Sequence, residues 1–332
     1  MMTTGRRRLA QVLCTLLLAW LVQSCWLLPV DPAPTIDVAE SPELLSRAKG
    51  TVVVADGSNR LLVVSLPTGR VDKFGTEGDA VVASGIDESG RIVYVRESRW
   101  SMLFKGSYTL VLKSIVTGEE RVLAEVGSSK NSNPWSEFVV DLAGGRALCS
   151  FRNRKARVFE VDTGRELEIP DWQRRYAAHR LTGDGKHVIG WDTLDGGSLE
   201  ESWVSIDVGT GSTTTISEDW PFALTAEGKA VGLASEHRYR SMGLDGKVAS
   251  SKNQIGLPGC ILCPCRLIDD SLAIYDGLAS PASHPVNRGG LIWLTFDRSI
   301  RLGDIKQHTT MTLVPRFFEG SFAYSPFNVP AP

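Results

Sequence analysis

From about Thr51 onward, apolar residues come in short runs rich in Val, Ile, Thr and aromatics, as in "TVVVAD", "RLLVVSL", "RIVYV" and "RALCSF". Gly- or Asp-bearing turns close each run. No stretch sustains helical spacing of apolar positions, so the pattern predicts an all-β chain. Two turn types punctuate it. One is a polar or acidic pair ending in Gly before a strand: "DESGRIVYV", "DLAGGRALCSF", "TGDGKHVIGWD" and "TAEGKAVGLAS". The other closes the following strand: "VSLPTGRVDKF", "LKSIVTGEERVL", "FEVDTGRELEI", "SIDVGTGSTTTI" and "MGLDGKVAS".

Gly50, Gly90, Gly145, Gly185, Gly228 and Asp270 occupy equivalent places of the first turn, at spacings of 40, 55, 40, 43 and 42 residues. Repeats of this length, each holding four short strands, are what propeller blades require, because a single four-stranded sheet cannot bury both faces alone. In its order of "DG", two strands, "D-x-TG" and a further strand, the chain resembles the TolB-type family of β-propeller repeats. It lacks the Pro that precedes the family's "DG". The expectation is a β-propeller over 49–332, with six blades, or seven if the stretch after Asp270 holds another. The first unit shows only three strands, and the carboxy-terminal "GSFAYSPF" has the character to supply the fourth. Phe322 to Ser325 is therefore expected to close the ring in the first blade.

The first thirty residues read as targeting. "MMTTGRRR" is a basic start, and the 22 residues from Leu9 to Val30 carry no charge, which is enough to span about 30 Å of hydrocarbon. Three fates compete. "VQSC" resembles a lipobox with Cys25 as the lipid-bearing residue; the run could stay as an uncleaved anchor; or signal peptidase could release a secreted form. In each case the positive-inside rule places the bulk of the chain outside the cytoplasm. Residues 31–48 read as a linker.

Charge adds a local rather than a global signal. Lys and Arg number 36 against 38 Asp and Glu, a formal net charge of −2, which excludes general attraction to nucleic acid. In a blade, the loops between the second and third strands share a rim with the connections between blades. That rim gathers "RNRKAR", "DWQRRYAAHR" and "EHRYR", and hence Arg152, Arg154, Arg157, Arg174, Arg175, Arg238 and Arg240. One reading is a docking face for an anionic partner, protein or envelope component; the other is solvated charge paired with local acids. Trp135, Trp172 and Trp220, each shortly before the next inner strand, suit packing between blades, with a channel-side ligand cage as the alternative.

Catalytic constellations are thin. His179, His187, His237, His284 and His308 are scattered, with no metal-ligand spacing, no Gly-x-Ser-x-Gly elbow and no phosphate loop. Cys149, Cys260, Cys263 and Cys265 form an even set suited to disulfides in an oxidising compartment. C-x2-C-x-C supplies only three of the four ligands zinc wants. The sequence therefore predicts an exported, envelope-attached, non-catalytic binding or scaffolding propeller, without metal or cofactor. A propeller-based hydrolase or lyase, and a metal-dependent sensor using the Cys260–Cys265 loop, are the alternatives.

Overall fold

A computed structural model of the chain describes residues 42–55, 57, 59–98, 106–129, 138–151, 155–172, 176–192, 202–217 and 321–329, together with the strands between 221 and 317 bounded below. From 217 to 299 the description is of the backbone alone. Apart from one short helix, α1 (Pro42–Arg47), and the turns and loops, the described chain is β-structure.

The first sheet holds β1 (Thr51–Ala55), β2 (Arg60–Ser65) and β3 (Arg70–Gly75). The second is β4 (Asp79–Ala83), β5 (Arg91–Ser98), β6 (Gly106–Ser114) and β7 (Glu120–Ser129). The third is β8 (Phe138–Ala143), β9 (Arg146–Phe151), β10 (Arg157–Glu160) and β11 (Glu166–Leu167). The fourth is β12 (Tyr176–Leu181), β13 (His187–Asp192), β14 (Ser202–Asp207) and β15 (Thr213–Ser217). The fifth is β16 (Pro221–Leu224), β17 (Ala230–Ala234), β18 (Arg238–Met242) and β19 (Val248–Asn253).

The sixth joins β20 (Cys265–Leu267) and β21 (Leu272–Leu278) to β24 (Arg298–Asp304) and β25 (Thr309–Phe317). A separate hairpin, β22 (His284–Arg288) and β23 (Leu291–Thr295), is inserted between β21 and β24. The last strand, β26 (Ser321–Ser325), pairs antiparallel with β1, Thr51 opposite Ser325 and Ala55 opposite Ser321, and completes the first sheet. Among the described residues this gives six four-stranded antiparallel sheets.

First strands lie side by side: β26 and β1 against β4, β4 against β8, β8 against β12, and β16 against β20. This is a propeller-type arrangement. Every residue of β1 and the middle four of β2 are buried, whereas β3 is exposed or half-buried throughout. Inner strands have a neighbouring sheet on each face, so "TVVVA" and "LLVV" run apolar without alternating. Burying each such Val or Leu contributes roughly 1.5–3 kcal/mol.

The repeated turn glycines share a conformation: Gly50, Gly90, Gly145 and Gly185 have φ of 86°, 75°, 70° and 68°. At two of them, space as well as φ excludes a side chain. A Cβ on Gly50 would lie 2.1 Å from the Ser325 carbonyl oxygen, and one on Gly185 would lie 2.6 Å from that of Ala143. Gly228 and Asp270 fall outside the described residues.

Residues 42–48, expected as linker, belong instead to the folded unit. Leu44, Leu45 and Ala48 are buried among Val52, Val54, Leu62 and Val64 of the first sheet and Ile300, Leu302, Met311 and Leu313 of the sixth. The apolar pair in "PELLSR" explains this, since one helical turn presents both leucines to the seam.

Candidate functional site

Antiparallel order places the ends of β5, β9, β13 and β17 on one rim, opposite the glycine turns, with the starts of β6, β10, β14 and β18 beside them. This is the rim to which the arginine-bearing loops connect. Arg152, Arg154, Arg174 and Arg175 lie outside the described residues. Arg238 and Arg240 are placed by the backbone on β18, opposite Ala234 and Gly232.

Several of the arginines whose side chains are described act as struts between sheets. Arg157 donates through Nε and Nη2 to the two carboxylate oxygens of Glu166, at 2.9 and 2.7 Å. Its Nη1 donates to the Glu125 carbonyl of β7 at 2.7 Å, and its guanidinium lies 5.1 Å from the Phe159 ring centroid. The hydrogen bonds from Arg157 hold the Glu166 carboxyl below its ordinary range. Arg157, expected to face an anionic ligand, thus has the Nε–Nη2 edge of its guanidinium engaged by Glu166.

The same pattern recurs elsewhere in the second and third sheets. Arg91 donates to Asp87 at 2.7 Å and also to Asp162 of the third sheet. Arg121 on β7 donates to the carbonyls of Val161 and Asp162. Arg96 pairs with Glu77 at 2.9 Å and lies 3.7 Å from Glu120, whose other oxygen meets Lys113 Nζ at 3.0 Å. Burial, and then the Glu120 carboxylate, push the neighbouring Tyr94 hydroxyl up. Between the third and fourth sheets, Arg146 donates to the Gly185 carbonyl at 2.9 Å, and the buried Asp141 carboxylate accepts from the Leu181 N–H at 2.8 Å. For these residues, pairing with local partners is the observed state.

Cys149 is a free, buried thiol on β9, opposite Val140 and Arg157 in the ladders. The expectation that it joins a bridge is corrected. It sits among Phe138, Phe151 and Phe159, and burial pushes its thiol up to about 12. Cys25, Cys260 and Cys263 lie outside the described residues; Cys265 opens β20, opposite Tyr275.

Trp172 packs with the cluster between the third and fourth sheets, edge-on to Tyr176 at 5.9 Å. Trp135 and Trp220 are outside the described residues. One grouping escaped the sequence reading: Trp203 meets both His179 and Trp191 edge-on, at 5.0 Å each. Its signal was the register that sets Trp191 opposite Trp203, with His179 at a bulge. Toward the other end of the same ladder, His187 Nε2 lies 3.6 Å from Asp207, whose carboxyl is held low chiefly by the Thr210 N–H. Among the described residues, no group of three or more His, Cys, Asp or Glu could hold a metal ion, and no helix is long and apolar enough to cross a membrane.

No family model matches the chain, and no curated protein matches it. Solved structures are similar in fold. TolB from Acinetobacter baumannii is 14% identical, with a TM-score of 0.49 over 83% of this chain; the chain spans 66% of that protein's length, just under two thirds. The β-propeller domain of the Trilobed protease from Pyrococcus furiosus is 9% identical, with a TM-score of 0.43 over 80% of each chain. The acylaminoacyl peptidase of Pyrococcus horikoshii is 10% identical, with a TM-score of 0.42 over 77% of this chain and 41% of that one. Likeness at this level transfers no residue role.

Proposed function

We propose that the chain is an exported, envelope-attached binding or scaffolding module without catalysis of its own. In this reading it is a six-bladed propeller whose ring is closed by β26 in the first blade. Residues 1–30 hold it to a membrane, and one loop rim docks an anionic partner. The observation that carries the reading is the sheet order, which leads the loops bearing Arg152 and Arg154 and the connection bearing Arg174 and Arg175 to the same rim. The arginines whose side chains are described have partners within the fold, so the reading assigns docking to others on this rim, these four together with Arg238 and Arg240 of β18. A rim of this charge binds through salt-sensitive contacts.

The test is retention on immobilised polyglutamate across a salt gradient, comparing the full chain with a variant in which Arg152, Arg154, Arg174 and Arg175 are all replaced by serine. The variant should elute at clearly lower salt. Co-elution of the two would remove the docking face, and no retention of either would remove the anionic partner.

A further inference from the structure

The sixth sheet differs from the other five in carrying the β22–β23 hairpin between its second and third strands, and the hairpin pairs with no other described strand. Its register sets Val286 opposite Trp293, Arg288 opposite Leu291, Pro285 opposite Leu294 and Asn287 opposite Ile292. By alternation, Val286, Leu291 and Trp293 take positions on one face, and Pro285, Ile292 and Leu294 on the other. Each face thus carries three apolar positions, beside His284, Arg288 and Thr295 on the first and Asn287 on the second. A two-stranded hairpin is marginal in water without cover. A groove on a protein covers one face, whereas a lipid surface surrounds both.

Charge points the same way. Between Asp276 and Asp297 the chain has no carboxylate; its ionisable residues there are Arg288 and His284, and Arg298 and Arg301 follow on β24. Apolar residues with Trp, Arg288 and His284, in a stretch whose nearest acids stand only at its two ends, match an anionic headgroup layer. Position adds a third argument, because α1, the start of the described chain, packs on β24 of this same sheet. Fully extended, residues 31–41 reach about 38 Å, against about 23 Å for the seven residues of β24. An anchored amino terminus therefore leaves the hairpin within reach of the bilayer.

We propose that the β22–β23 hairpin is a membrane-interface element that docks in the anionic headgroup layer of the bilayer holding the amino-terminal segment. The proposal rests on the reading of residues 1–30 as an anchor. The hairpin stays at headgroup depth, since the outer edges of two strands carry backbone groups that hydrocarbon cannot satisfy.

The test is photo-cross-linking of the full chain in vesicles of phosphatidylcholine and phosphatidylglycerol. p-Benzoylphenylalanine replaces Trp293 or, as a second probe of the hairpin, Leu291. Leu18 in the apolar segment reports anchoring, and Val116, an ordinary exposed residue on β6–β7, gives the background. Lipid adducts at 293 or 291 about tenfold above position 116 are expected. Adducts at 18 with only background at both hairpin positions overturn the proposal and leave the anchor standing. Adducts at the hairpin without any at 18 overturn the proposal in this form, because the hairpin then meets lipid without an anchored amino terminus. Background at all three positions removes both.

Discussion

The junction between the second and third sheets and the seam between the sixth and first solve the same packing problem by different means. At the junction, Tyr108, Phe138 and Phe151 stack and abut one another, and Arg91, Arg121 and Arg157 reach across to carboxylates and carbonyls of the facing sheet. At the seam, aliphatic residues of both sheets meet around Leu44 and Leu45, and the main-chain ladder of β26 on β1 ties the carboxy terminus in. Hydroxyls lock that ladder: Ser321 Oγ accepts from the Ala83 N–H at 3.1 Å, Ser325 Oγ donates to the Ile86 carbonyl, and Thr51 Oγ1 donates to the Phe327 carbonyl at 2.7 Å. Where the chain is continuous, long side chains suffice to set the angle between sheets. Where its two ends meet, the backbone itself has to be shared.

The contrast makes the seam the weaker place to cut. Removing residues 321–332 should abolish the cooperative melting transition seen by circular dichroism, because β1 loses its inner neighbour and the first sheet its register. A truncated chain that melts as the full chain does would dissolve the distinction. Leu45→Ala should cost about 2–4 kcal/mol in urea unfolding, as lost transfer energy plus a residual cavity. A cost under about 0.5 kcal/mol, typical of surface sites, would show that the helix merely rests on the seam.

At the junction, Arg157→Met should cost less, about 1–2 kcal/mol, since it strips the Glu125 carbonyl and Glu166 of donors but keeps most of the packing. If it equals Leu45→Ala, the two regions are held alike. The smallest effect is in pH. The folded Glu166 carboxyl lies below its ordinary value of 4.5, so its contribution is present above that value and is lost as pH falls through the lower folded one. Glu166→Gln should flatten that part of the acid-unfolding curve; an unchanged curve removes the pairing as a source of acid lability. Cys149, with its thiol pushed up to about 12, should resist maleimide until the chain is unfolded. Labelling in the native state would place it outside the junction core.

The all-β fold, the turn glycines and the use of the carboxy-terminal strand were legible because each is written locally, in strand composition and a recurring φ requirement. The role of Arg157 was not, because its loop motif "RNRKAR" does not show that Glu166, on the next strand, stands opposite its fork. Cys149 misled for a related reason: cysteine parity says nothing about an apolar junction that suits a thiol as a small hydrophobe. Leu44 and Leu45 sat in a stretch whose Pro and polar neighbours masked a single buried turn. For Cys149 and the two leucines the missing information was a neighbouring sheet, and for Arg157 a partner on the adjacent strand.

The pairing of β26 with β1 also imposes an order in time. Thr51 and its hydrogen-bond partner Phe327 are 276 residues apart, so at ribosomal speeds the first sheet waits on the order of tens of seconds for its fourth strand. Throughout that interval the nascent chain carries an unpaired valine-rich edge, open to any extended segment nearby. Strand β26 is therefore also a protection against aggregation, and the first sheet becomes safe only once residues 321–325 have been made.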